Sequence, residues 1–107
     1  MDFKVLGANL GLEESEFIEL VELFLSTVKL DLEKLTTAYQ SGDFEAVAES
    51  AHSLKGSSGN LGFTELSVLS KNAEDKGREN DLSGFAEIID SMSQQIGKIK
   101  ECLEQSI

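Results

Sequence analysis

The run Ala51-His52-Ser53-Leu54-Lys55-Gly56-Ser57-Ser58-Gly59-Asn60-Leu61-Gly62 holds the one histidine of this 107-residue chain. Placed on a helix over residues 43 to 61 at about 100° per residue, the apolar side chains Phe44, Val47, Ala51, Leu54 and Leu61 fall on one flank, and His52 stands off that stripe. Ala48 lies at roughly −40° from His52, Gly56 at roughly +40°, Gly59 at roughly −20° and Lys55 at roughly −60°. The imidazole is expected to project from a shelf of small residues with one cation beside it. Each helix-interior glycine costs about 1 kcal/mol against alanine, so two beside one histidine need a reason, and close approach by a partner supplies one. Near pH 7 an exposed imidazole keeps a neutral fraction with a nucleophilic ring nitrogen, and a neighbouring ammonium offsets the charge of an anion attached there. This is the chemistry of a histidine that accepts a phosphoryl group while another macromolecule lies across it.

AHSLKGSSGNLG resembles the phosphoacceptor motif of histidine-containing phosphotransfer (HPt) domains. It has His, then Lys three and Gly four residues on, with a Leu-Gly pair closing the helix. Leu20, Phe24, Leu32, Leu35, Gly42-Asp43 and the amphipathic stretches after Gly62 extend the likeness. It implies that His52 takes phosphate on Nε2 from the aspartyl phosphate of a receiver domain in a hybrid histidine kinase and passes it to the receiver of a response regulator. It further implies that Lys55 steadies the phosphate, and that magnesium belongs to the receiver and no cofactor to this chain. In that family a polar side chain, often glutamine, faces the imidazole from the next helix. Counting along the motif puts this position near Glu74, with Lys71 and Asp75 close by and Asn72 a weaker candidate. Glu74 is a departure: a carboxylate can accept the Nδ1 proton and free Nε2, yet it repels phosphate. The partner-facing set is then Ala48, Gly56, Ser57, Gly59, Lys71 and Glu74, beside an exposed apolar rim including Leu12, Phe17 or Val21. Ser58 points toward the apolar stripe and has a packing role.

A formal charge of −11 excludes nucleic acid and anionic membrane surfaces as favoured partners. Glu13, Glu14, Glu16, Glu19 and Glu22 crowd the first long helix, whereas Lys55, Lys71, Lys76 and Arg78 gather around and after the histidine. Absent proline and a 40% hydrophobic content fit a single all-helical domain over residues 1–107. The lone Cys102 falls on an apolar face and packs there. The opening MDFKVLGANL has neither a long apolar run nor a basic leader, so a cytoplasmic address is expected, and the chain is expected to be a monomer.

The elements that must position the site follow from periodicity. Residues 1 to 12 form a lead-in turn or short helix. Phe17, Leu20, Val21, Phe24, Val28, Leu32, Leu35 and Tyr39 recur at helical spacing, predicting one helix over about 13–40 with a bend near Ser26-Thr27. Asp43 caps a second over about 43–60, and a third covers about 63–76, with Gly77 to Asn80 as connection. Asp81 or Ser83 caps the last, over about 82–105, which carries Phe85, Ile88, Ile89, Met92, Ile96, Ile99 and Leu103. Short links between four long helices dictate an antiparallel up-and-down four-helix bundle.

One histidine and one cysteine cannot build a zinc site of the usual kind, and neither a GxxxxGK[ST] loop nor a GxSxG elbow occurs. With those chemistries set aside, the resemblance implies a phosphocarrier without autokinase activity. The competing reading is an acidic helical module that docks a receiver or kinase without carrying phosphate.

Overall fold

Helical periodicity becomes five α-helices and no strand in the computed structural model, which describes residues 1–107. They are α1 (Phe3–Asn9), α2 (Glu14–Ser41), α3 (Phe44–Asn60), α4 (Thr64–Arg78) and α5 (Phe85–Ser106). Helix α2 packs on α3, α3 on α4, α4 on α5, and α5 returns to α2, with α1 laid against α2. At about 1.5 Å per residue the 28 residues of α2 span the molecule's long dimension of 41 Å. No helix is long and apolar enough to cross a membrane.

Local chemistry sets the boundaries. Asp2 accepts from the N–H groups of Lys4 and Val5 to open α1, and the Glu13 N–H donates to the Glu16 carboxylate, 3.0 Å away, to open α2. Helix α2 continues through Ser26 and Thr27, whose hydroxyls both donate to the Leu23 carbonyl. It stops at Gly42, which turns left-handed at φ 68°. The Asp43 N–H then closes back on the Ala38 carbonyl, and the Asp43 side chain accepts from Ala46 N–H to start α3. One aspartate thus ends one helix and begins the next. Gly62, at φ 85°, closes α3 in the same manner, with the Phe63 N–H bonded to the Ser58 carbonyl.

Two boundaries differ from the sequence expectation. Helix α5 begins at Phe85, not near residue 82, because Asp81 is occupied earlier: its carboxylate accepts from both the N–H and the hydroxyl of Ser83, at 3.0 and 2.7 Å. Those two bonds build a turn, and Gly84 at φ 69° leads into the helix. Gly77 belongs to α4 and not to a connection, since it is the residue that lets α4 approach α3. A Cβ there would stand 2.8 Å from the Ala48 nitrogen and 3.0 Å from the Phe44 carbonyl oxygen, both backbone atoms.

The core takes Phe17, Val21, Phe24, Val28 and Leu35 from α2, Val47, Ala51 and Leu54 from α3, Leu66 and Ala73 from α4, and Phe85, Met92 and Ile99 from α5. Phe63 anchors an aromatic group at the end of α3, with ring centroids 5.2 Å from Phe24, 6.2 Å from Phe17 and 6.5 Å from Phe3. Cys102 is half-buried, its Sγ 3.5 Å from the Met1 carbonyl oxygen.

Candidate functional site

Close passage of α4 over α3 brings one carboxylate under the histidine. Glu74, on the face of α4 that looks at α3, is 4% exposed, and three donors converge on it. Its Oε2 lies 2.8 Å from His52 Nδ1 and accepts from the Arg78 guanidinium, also at 2.8 Å. Its Oε1 accepts from Lys55 Nζ at 2.7 Å. A buried charge is tolerable only when paired and hydrogen-bonded, and this one is. The Lys55 bond, followed by those of Arg78 and His52, outweighs the opposing effect of burial and draws the Glu74 pKa from 4.5 down to about 2.

That ionisation settles the imidazole's tautomer. An ionised carboxylate only accepts hydrogen bonds, so the proton between Oε2 and the ring resides on Nδ1. In the neutral ring Nε2 then holds the free lone pair. The His52 side chain is 63% exposed. Lys55 and Arg78 bring two positive charges against one on Glu74, so the cluster keeps one positive charge in excess when the ring is neutral. The repulsion that a carboxylate alone would exert on a phosphate is thereby offset.

The remaining sequence candidates separate. Gly56 is exposed, with no atom within 4 Å of where a Cβ would stand, so it leaves open space beside the histidine. Gly59 faces α4: a Cβ there would come 3.2 Å from Ser67 Oγ, and that hydroxyl donates to the Lys55 carbonyl. Ala48 is 5% exposed and lies under Gly77, so it belongs to the α3–α4 contact and not to the open shelf. Ser57 is half-buried and donates to the Leu54 carbonyl, as does the buried Ser58. Lys71 pairs with Asp75 one turn along α4, outside the cluster, and Asn72 makes no hydrogen bond to the imidazole. The apolar rim is also corrected. Phe17 and Val21 are wholly buried, because they point from α2 into the core. The apolar side chains that α2 exposes are Leu20, Leu23 and Leu30.

Arg78 was visible in the sequence only as a member of the basic group. Its spacing from Glu74 is the i,i+4 separation of a helical ion pair, a signal that finds the pair without showing that its carboxylate faces His52. No group of three or more His, Cys, Asp or Glu side chains is arranged to hold a metal ion.

Comparison with known proteins identifies the family and the fold. The family model described as Hpt domain matches residues 19–106. Among solved structures, the chain is similar to histidine-containing phosphotransfer protein B (HptB) from Pseudomonas aeruginosa PAO1. That likeness has a TM-score of 0.87 and 28% identity, and covers 99% of this chain and 92% of that one. A search of curated protein sequences gave no significant match.

Proposed function

The chain belongs to the Hpt-domain family, and on that premise we propose that His52 receives a phosphoryl group from the aspartyl phosphate of one receiver domain and gives it to the aspartate of another. Receiver domains are the general partners of this family, and phosphorelay is its setting.

In the forward step the Nε2 lone pair attacks phosphorus while the bond from phosphorus to the receiver's aspartyl oxygen breaks, and that carboxylate leaves with the electron pair. The ring gains positive charge as the Nε2–P bond forms. Glu74, already hydrogen-bonded to Nδ1–H, stabilises that charge without moving. Lys55 and Arg78 balance Glu74 and leave the surroundings receptive to phosphate. Transfer onward reverses these events: the second receiver's carboxylate attacks phosphorus and Nε2 leaves. The receivers supply magnesium, and this chain carries no cofactor of its own.

Docking uses the open backbone at Gly56 and the apolar stripe of α2. Leu23 and Leu30 are seven residues apart, hence within about 20° of one another on the helix. The stripe runs beside α3, for Asp31, next to Leu30, accepts from the Ser53 hydroxyl at 3.2 Å. A receiver seated there covers His52 and shields the reacting atoms from water. This reading places the chain in the cytoplasm with its receivers, as a monomeric up-and-down antiparallel bundle.

The observation that carries the proposal is the 2.8 Å contact of an exposed imidazole's Nδ1 with a buried, ionised carboxylate. Incubation with a phosphorylated receiver should give an acid-labile, alkali-stable label that disappears in His52→Gln. Undiminished label in that variant would overturn it. A docking module that carries no phosphate predicts instead that His52→Ala binds its receiver and sustains relay output.

A further inference from the structure

The phosphotransfer reading assigns His52 its chemistry and gives Arg78 a share of the charge balance with Lys55, but no part in the geometry of the reacting ring. An i,i+4 Glu–Arg pair on a helix surface is an ordinary local stabiliser. This pair differs in two respects. Its carboxylate is buried against a neighbouring helix, and the oxygen that takes the guanidinium is the same Oε2 that lies against the imidazole.

We propose that Arg78 is a positioning residue for phosphotransfer, acting through Glu74 to hold Oε2 against His52 Nδ1 and so to keep Nε2 as the reacting nitrogen. The inference rests on the phosphocarrier reading for its reaction but on the cluster's geometry for its content. A carboxylate can turn about its own bond. Here Lys55 takes Oε1 from the α3 side and Arg78 takes Oε2 from one turn further along α4, so the two cations fix the plane of the group from both ends. With Arg78 gone, Lys55 is the one cation left on the carboxylate, and only the bond from His52 Nδ1 still holds Oε2 against its pull. The carboxylate is then free to swing toward the ammonium, and Nδ1 loses its fixed acceptor. The charge balance changes as well. Lys55 and Glu74 would cancel, removing the excess positive charge that favours an incoming phosphoryl group.

The guanidinium makes a single bond to Oε2, so the task asks for a cation with one well-placed donor and not for a planar fork. Lysine at this position should therefore serve. Arg78→Met, which keeps an apolar stem and loses the cation, should behave as Arg78→Ala does, and that separates positioning from packing of the arginine stem along the helix.

Two measurements on the full chain test this, neither needing the natural partner. Nitrogen-15 NMR of the histidine ring reports the tautomer directly. Phosphoramidate serves as a small phosphodonor: Nε2 attacks its phosphorus, the P–N bond breaks and ammonia leaves. Phosphorus-31 NMR follows the rate and identifies which ring nitrogen is modified. Wild type should show Nδ1–H and label on Nε2. Arg78→Ala should mix the tautomers and slow labelling about fivefold, the size expected for loss of one cation from a half-exposed cluster. Arg78→Lys should return the tautomer balance and bring the rate to within about twofold of wild type. A wild-type tautomer balance and rate in Arg78→Ala would overturn the inference, and so would a defect that Arg78→Lys fails to repair. If wild-type protein takes no label at all, the phosphocarrier reading falls, while the ring tautomers still decide the role of Arg78.

Discussion

Helix α3 is held at its two ends by different physics. Where it closes, Phe63 joins Phe3, Phe17 and Phe24 in an aromatic group with no polar partner to satisfy. Further back, α3 meets α4 through backbone at Gly77 and through one carboxylate that gathers three donors. The aromatic end depends on how much apolar surface leaves water, a quantity that neighbouring side chains can redistribute. The site depends on a separation between helices, and a shift of a few tenths of an ångström there changes hydrogen bonds. Stability and chemistry are thus concentrated in different parts of one bundle, and substitutions can address them separately.

The largest effect is expected at the aromatic end. Phe17→Ala should cost about 3–5 kcal/mol in urea unfolding, while the protein that remains folded still takes phosphate on His52. A loss of stability under about 1 kcal/mol would show that the aromatic group is not the anchor described here. Gly77→Ala should cost about 1–3 kcal/mol although alanine is the better helix former, because the new methyl meets backbone atoms of α3. In contrast to Phe17→Ala, it should also weaken the bond between the His52 ring and Glu74, read from the imidazole N–H resonance. An unchanged resonance together with unchanged stability would remove the distinction between the two regions.

Acid should act on the site and spare the aromatic end. Glu74 stays ionised in the folded protein down to about 2, whereas in the unfolded chain it takes up its proton near 4.5. Its contribution to stability is therefore complete above pH 4.5 and is lost progressively as pH falls from 4.5 toward 2. Urea midpoints of wild type should fall across that window more steeply than those of Glu74→Gln, and parallel curves would contradict the assignment. The smallest effect concerns Gly56. Alanine there meets nothing within 4 Å and should raise stability by about 0.5–1 kcal/mol. If a receiver rests on this open backbone, Gly56→Ala should slow transfer from the receiver yet leave labelling by phosphoramidate unaltered.

Much of this protein is local and could be derived from its residue order. The long helices, the left-handed closures at Gly42 and Gly62, the cap at Asp43, and the position of His52 off the apolar stripe with Lys55 near it all follow from rules that act within a turn or two of helix. Glu74 could be placed near the imidazole only by counting along a motif, and its sign remained ambiguous. Tertiary structure decided that the carboxylate is buried, that two cations claim it and that Nδ1 therefore bears the proton. It also assigned Ala48 and Gly77 to the helix contact, Phe17 and Val21 to the core, and Lys71 to a pair outside the site. The reason is geometric. Periodicity specifies which residues share a face of one helix, but the rotation and spacing of α4 against α3 are set by packing across the interface, and the charges of this site acquire their roles only at that spacing.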